Sequence, residues 1–319
     1  MLHSHHAIRR VKLAPRLGKR RPFSSKHPHI PKFYFPREIL PPVRVLGPKL
    51  WCFGVAGIIY VGCATYETYQ EVQESKGRPG PLTVKGTNLA SYGSSTTGTG
   101  LLGDLTGAEK ALFAIGALNL GIFGIARAVP RTIMTLVHVP ASGRNFTMLT
   151  STFGHLGALH LAFNMLALFS FGYTVAESPT FTSSGSHLTA FYLSTGLFAS
   201  LGQHLRAAVP RSSARFVPAL GASGAIMGLI GVWAMVYPDH RFGIMLLPGS
   251  LPAGEALMYM IAFETWGTVF GFPYIKFAHA AHLTGLLAGA AYVHFDGKKR
   301  LWQPTKRLAF NSMKGLNMI

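Results

Sequence analysis

The chain has 319 residues, of which 49% are hydrophobic and 13% are charged, and its formal net charge is +19. Soluble globular proteins have about 25% charged residues, so this composition is typical of a membrane protein and excludes a disordered chain. It also disfavours a nucleic-acid-binding domain, because the positive charge is concentrated near the N-terminus instead of covering a polar folded surface. No nucleic-acid partner is therefore expected.

The N-terminal segment, residues 1–49, contains twelve Lys and Arg residues and a single acid, Glu38. An Arg-rich, acid-poor segment without an apolar core is typical of a mitochondrial transit peptide and not of a secretory signal. The alternative is a disordered basic tail that touches anionic lipid. We predict that this segment is a mitochondrial targeting sequence.

Seven apolar segments follow, and each approaches the roughly 20 residues that a helix needs to cross a bilayer. The first, 50–66, is followed by a polar linker, 67–109, that is rich in Gly, Ser and Thr. The other six lie within 110–295, at 110–128, 149–173, 187–205, 219–237, 252–270 and 277–295. Residues 296–319 are predicted to form a basic tail. Because helices satisfy their own backbone hydrogen bonds in lipid, the predicted fold is all-α: a multi-pass membrane protein with one helix preceding a six-helix core.

Polar residues within apolar spans are costly and therefore mark candidate functional sites. Ser223 lies in the run Gly221-Ala222-Ser223-Gly224, where glycines allow a substrate backbone to come close. His282 shares a helix face with Gly285 and Gly289, so two smooth helix faces can bring the serine and the histidine together. A buried neutral histidine is a suitable general base for a serine hydroxyl. The alternative is that Ser223 serves only helix packing.

A second polar group lies in the span 149–173 and consists of His155, His160 and Asn164. His160 and Asn164 are one helical turn apart, and both side chains donate hydrogen bonds without carrying charge. Such donors are suited to stabilising an oxyanion in a low-dielectric site. The alternative is that they form hydrogen bonds between helices.

Acidic residues do not accompany Ser223 and His282 in their spans, which predicts a Ser–His dyad instead of a triad. Glu264 is the acid that lies inside the span 252–270, and we expect it to make a hydrogen bond within the protein. His279, three residues before His282, is interpreted as a polar residue near the end of its helix.

The chain contains no GxGxxG, P-loop, HExxH or CxxC pattern, so no cofactor and no metal site are predicted. One rival interpretation is a redox membrane protein that binds haem or metal through His155, His160, His279 and His282. Another is a transporter, or a catalytically inactive adaptor that holds membrane helices. Neither rival gives the run around Ser223 a task, except that the inactive adaptor would have lost it.

The motifs together resemble those of the rhomboid family of intramembrane serine proteases: GASG at Ser223, AHLTGLLAG at His282, and H-x4-H-x3-N over His155, His160 and Asn164. The extra helix and the transit-like N-terminus are similar to the mitochondrial, presenilin-associated rhomboid-like branch. The resemblance implies Ser223 as nucleophile and His282 as general base. It implies an oxyanion site of Asn164, His160 and the Ser223 backbone N–H, with His155 at the outer end of their helix.

The resemblance also implies where the protein acts and on what. We expect a multi-pass protein of the mitochondrial inner membrane that cleaves single-span membrane proteins within the lipid bilayer. The Trp-Arg pair of many bacterial members is absent from the first loop of the core, where Arg144 and Phe146 lie instead. Arginines in the loops next to Ser223 predict an active site that opens towards the matrix, whereas the basic C-terminal tail favours the opposite orientation.

Overall fold

The computed structural model describes residues 42–76, 105–210, 218–243, 249–272 and 277–319, and these residues are largely helical. The predicted all-α fold is confirmed. The one exception in the described ranges is an antiparallel pair of two-residue strands, β1 (Arg241–Phe242) and β2 (Leu251–Pro252). The predicted transit peptide and most of the predicted linker lie outside the described residues.

Ten α-helices occur within the described ranges, two of them only one turn long. They are α1 (Leu46–Lys76), α2 (Gly107–Ala128), α3 (Ile133–Leu136), α4 (Thr147–Thr150), α5 (Ala158–Glu177), α6 (Gly185–Ala208), α7 (Ser223–Val236), α8 (Ala253–Val269), α9 (His279–His294) and α10 (Gln303–Gly315). Six of the longer helices, α2 and α5–α9, correspond to the six predicted core spans, and α1 corresponds to the helix predicted before them.

Helix length distinguishes the members of this set. By length and composition, α1, α2 and α5 are long and apolar enough to cross a membrane. Helix α7 is apolar but has only 14 residues, which is about 21 Å and shorter than the ~30 Å hydrocarbon core. The polar side chains of α6, α8 and α9, described below, lower the hydropathy of those helices.

Helix α6 is the central element of the core and packs against α1, α2, α7 and α9. Most of its residues are buried, many of them small, so neighbouring helices come close to its axis. At Gly202, for example, a Cβ atom would collide with the Thr284 hydroxyl of α9. Thr284 donates that hydroxyl to the Ala280 carbonyl at 2.7 Å. The glycine on α6 therefore provides the room that Thr284 requires.

The first helix is longer than predicted, and the predicted start of the linker at residue 67 is wrong. Helix α1 continues to Lys76 and includes the acidic residues Glu67 and Glu71. These carboxylates are accommodated because they have partners: the Ser184 hydroxyl donates to Glu67, and the Lys306 Nζ lies 3.0 Å from Glu67 and 2.5 Å from Glu71. The predicted linker also overlaps the start of α2, where Thr106 forms a capping box with Glu109.

The C-terminal region, predicted as a basic tail, is folded and packs on the first helix. A short π-helix, Lys298–Trp302, leads into α10, which contacts α1. The Trp302 side chain is 3% exposed; it packs on Tyr60 and stacks on His187 with ring centroids 4.5 Å apart. Burial lowers the pKa of Lys306, but the carboxylates of Glu67 and Glu71 outweigh burial and raise it above its ordinary value. An apolar anchor and an ion pair cluster therefore hold α10 in place.

Candidate active site

Ser223 is the first residue of α7, and the chain before it is not helical. Gly221 has φ of +125°, a conformation that favours glycine, and a Cβ atom there would lie 2.8 Å from the His160 ring. The Gly221 N–H donates to the Ser151 carbonyl at 2.8 Å, and Ala219 pairs with His138 in an isolated bridge. This irregular segment is thus hydrogen-bonded to the protein, as backbone at membrane depth must be.

Glycines set the distance between α7 and α9. A Cβ atom at Gly285 would collide with the carbonyl oxygen of Gly224, and one at Gly289 would collide with that of Gly228. The predicted close approach of two glycine-bearing faces is confirmed. It brings the Ser223 Oγ to 2.8 Å from the Nε2 of His282, which lies in the first turn of α9.

A carboxylate lies on the other side of His282. The Oε1 of Glu264, on α8, is 3.0 Å from the His282 Nδ1, and its Oε2 is 2.6 Å from the His279 Nδ1. The prediction that no carboxylate orients His282 is therefore wrong, while the expected hydrogen bond of Glu264 within the protein is confirmed. The reason is the antiparallel packing of α8 on α9, which brings together residues 18 positions apart in the chain.

The three side chains around this carboxylate are largely shielded from solvent. The exposed fraction is 6% for the Glu264 side chain, 5% for His279 and 12% for His282. Gly267, one turn after Glu264 on α8, makes space for His279, since a Cβ atom there would collide with the imidazole ring. His279 is thus part of the site and not a polar residue at the membrane interface.

The predicted oxyanion residues lie on or just before α5. His160 contacts Gly221 next to Ser223. The Asn164 side chain is one turn further along, and its Nδ2 donates to the His160 carbonyl at 2.7 Å. The structure therefore brings His160 to the serine, whereas the role of Asn164 as an oxyanion donor stays a prediction.

His155 is placed differently from the prediction. It does not belong to the helix of His160, because α5 begins only at Ala158 after two glycines, Gly154 and Gly157. The His155 ring is buried and packs against the His160 ring with centroids 5.2 Å apart. It therefore supports His160 from the side of the loop.

Chemically, this arrangement combines a hydroxyl, an imidazole and a carboxylate in sequence, with the first N–H groups of α7 close by. The first N–H groups of a helix have no partner within that helix, so they are available to bind negative charge. In the described part of the chain, no cluster of three or more His, Cys, Asp or Glu side chains is arranged to hold a metal ion. The four histidines of the rival interpretation are instead divided between two pairs, one at Glu264 and one at Gly221.

Comparisons with known proteins agree with the resemblance. The family model of the Rhomboid domain matches residues 142–299, which include both histidine pairs, Glu264 and Ser223. The mitochondrial presenilin-associated rhomboid-like protein of Homo sapiens is 32% identical over 206 residues, which cover 63% of this chain and 52% of that protein. Rhomboid protein 1, mitochondrial, of Saccharomyces cerevisiae is 26% identical over 261 residues, or 78% of this chain and 73% of that protein.

The chain thus spans about half the length of the presenilin-associated relatives that it matches. The names of the relatives place them in mitochondria, and together with the apolar helices they confirm the predicted mitochondrial, multi-pass membrane protein. Residues 142–299 form a rhomboid domain, and the chain belongs to the rhomboid family.

Proposed function

We propose that the protein is an intramembrane serine endopeptidase of the mitochondrial inner membrane that cleaves single-span membrane proteins. The observation that carries this proposal is the 2.8 Å distance between the Ser223 Oγ and the His282 Nε2 within a block of apolar helices. In such a pair the imidazole nitrogen takes the hydroxyl proton as the oxygen attacks a carbonyl carbon. The membership in the rhomboid family supports the same assignment.

The reaction proceeds through an acyl-enzyme. The Ser223 Oγ attacks the peptide carbonyl of the substrate, and the His282 Nε2 takes the hydroxyl proton. When the C–N bond breaks, His282 returns this proton to the leaving amine, and the acyl half of the substrate stays esterified to Ser223. Water then attacks the ester with His282 again as base, which releases the carboxylic acid and restores the serine hydroxyl.

The tetrahedral intermediates carry a negative oxygen that needs hydrogen-bond donors. We assign this task to the backbone N–H of Ser223 and to the side chains of His160 and Asn164. Donors of this kind are effective in a low-dielectric site because they are already oriented before the charge develops. Loss of one such donor lowers kcat about 10²- to 10³-fold in proteases.

The position of Ser223 at the start of α7 suits proteolysis within a membrane. Because α7 is shorter than the hydrocarbon core is thick, its N-terminus lies below one membrane surface. The hydrogen-bonded, non-helical segment before Ser223 then lines a cavity that admits the water needed for hydrolysis. The substrate helix unwinds locally to present its peptide carbonyl, since a carbonyl within an intact helix is not accessible to attack.

Cleavage in proteoliposomes tests the proposal. The full chain and Ser223→Ala are reconstituted with a synthetic single-span helix that carries a fluorophore and a quencher on either side of small, helix-destabilising residues. We expect cleavage by the unaltered protein and none by Ser223→Ala. Ser200→Ala is the matched control, since Ser200 is a buried serine of α6 that bonds to Ser151, and it should retain activity. Equal cleavage by the protein and by Ser223→Ala would overturn the assignment, and an uncleaved substrate in all samples would favour an inactive adaptor.

A further inference from the structure

Glu264 and His279 lie beside the Ser223–His282 pair, and the reaction described above assigns neither of them a task. Resting on the proposed function, we propose that Glu264 is a positioning residue for His282, and that His279 holds Glu264 in place. The site is then a Ser–His–Glu arrangement with an additional histidine behind the carboxylate, not a Ser–His dyad. The geometry that points to this role is the contact of each carboxylate oxygen of Glu264 with a different imidazole Nδ1.

The first consequence of the geometry concerns the tautomer of His282. An ionised carboxylate only accepts hydrogen bonds, so the His282 Nδ1, 3.0 Å from the Glu264 Oε1, carries a hydrogen. In the neutral ring the Nε2 is then unprotonated, and it faces the Ser223 Oγ at 2.8 Å. Glu264 therefore selects the tautomer in which His282 can accept the serine proton.

The second consequence concerns charge during the reaction. His282 becomes a cation when it takes the serine proton, and a cation in a low-dielectric bundle is unfavourable unless an opposite charge is near. The Glu264 side chain, 6% exposed, provides that charge at hydrogen-bond distance. The carboxylate thus stabilises the protonated state of His282 that every step of the reaction passes through.

His279 fixes the carboxylate from the other side. Its Nδ1 lies 2.6 Å from the Glu264 Oε2, and its Nε2 has no hydrogen-bond partner among the described residues. The ring is therefore a neutral donor that uses one nitrogen, and it does not compete for the oxygen that faces His282. Two N–H donors on two oxygens leave Glu264 little freedom to rotate away, and Gly267 keeps the space that the His279 ring occupies.

A purely structural tie between α8 and α9 is the competing explanation, and kinetics separate the two. In Glu264→Gln the amide can still accept from His279, but its NH₂ group points a donor at the His282 Nδ1 and favours the wrong tautomer. Glu264→Asp keeps the carboxylate on a shorter side chain. Glu255→Gln is the matched control, because Glu255 is an exposed residue in the first turn of the same helix.

The variants are compared in proteoliposomes with the quenched single-span helix, and kcat, KM and the thermal unfolding midpoint are measured for each. For Glu264→Gln we expect kcat to fall on the order of 10³-fold with KM nearly unchanged, as when the carboxylate of a protease triad is removed. Glu264→Asp should recover at least a tenfold part of that loss, and Glu255→Gln should match the unaltered protein. His279→Leu should lower kcat about tenfold.

Two outcomes would overturn the proposal. If Glu264→Gln retains the kcat of the unaltered protein, or if it loses activity only in proportion to a fall in the unfolding midpoint, Glu264 does not position His282. Ser223→Ala is included in the same series, so the two proposals fail separately. If Ser223→Ala is inactive while Glu264→Gln is fully active, the protease assignment stands and only the role of Glu264 is lost.

Discussion

Carboxylates of the helices meet basic groups in two regions of this molecule, and the two regions differ in burial. Glu264 is 4% exposed and lies between His279 and His282 inside the core. In the cluster of Glu67, Glu71 and Lys306, the carboxylate side chains are 17% and 57% exposed, and the lysine joins α10 to α1. The chemistry of the partners is similar, but the surroundings are not.

The difference in burial decides what each group can do. Charges in a low-dielectric interior interact strongly and must be matched by partners, so a displaced proton there changes the energy of the whole site. Charges near the surface are screened by water and salt, and a pair there contributes about 1 kcal/mol or less. We therefore assign reactivity to the inner group and attachment of α10 to the outer one.

The largest effect is expected for a donor within the inner region. Asn164→Ala should lower kcat by about 10²- to 10³-fold, equivalent to about 3 kcal/mol of transition-state stabilisation, if the amide binds the oxyanion. Kinetics in proteoliposomes with the quenched single-span helix measure this effect.

Asn119 provides a matched control for that prediction. It is buried in α2, and its Nδ2 donates to the Ile115 carbonyl four residues earlier at 2.8 Å, just as Asn164 donates to His160. Asn119→Ala removes the same local hydrogen bond away from Ser223 and should leave kcat unchanged. Equal losses of kcat in both variants would mean that Asn164 only supports its own helix.

A smaller effect is expected for the glycine contact that sets the distance between serine and histidine. Gly285→Ala places a methyl group against the Gly224 carbonyl, and overpacking of this kind costs about 1–3 kcal/mol of stability. The unfolding midpoint in detergent should fall, and activity should fall with it as α7 and α9 move apart.

The control for Gly285 is a helical glycine with open space around it. No atom lies within 4 Å of the position that a Cβ atom would take at Gly124 of α2. Gly124→Ala should therefore leave stability unchanged or raise it by about 1 kcal/mol, because alanine favours the helix. If both variants behave alike, close packing of α7 on α9 is not what brings Ser223 to His282.

The smallest effect is expected in the outer region. Lys306→Met keeps the apolar stem and removes the charge, and it should cost about 1 kcal/mol or less, with the difference shrinking in high salt. Thermal unfolding at low and high salt measures this, and Lys299→Met, which breaks an exposed pair with Asp296, serves as control. A loss of substrate cleavage in Lys306→Met would contradict the separation of the two regions.

Much of the fold could be predicted from apolar segment length, because lipid leaves the backbone few alternatives to a helix. Helix α10 could not, since its charged residues suggested a solvated tail. It is folded because a single apolar side chain, Trp302, packs on Tyr60 and because Lys306 meets Glu67 and Glu71. Such contacts depend on the positions of α1 and α10 in space, which local sequence patterns do not contain.

The site shows the same division between local and long-range information. Ser223 and His282 could be identified because glycines surround each of them in an apolar segment. Glu264 was recognised as unusual but not connected to His282, because the contact depends on how α8 and α9 align across the loop between them. The spacing of His279 and His282, three residues apart on one helix face, was the available signal that both rings meet a common partner.

Labelling with a fluorophosphonate probe tests the central claim most directly, since this reagent reacts with serines that are activated as nucleophiles. The full chain is incubated with the probe in lipid vesicles, and the modified residue is located by mass spectrometry. The account predicts modification at Ser223, no labelling of Ser223→Ala, and labelling slowed by orders of magnitude in His282→Ala. Labelling of Ser223→Ala at the rate of the unaltered protein, or undiminished labelling of His282→Ala, would contradict it.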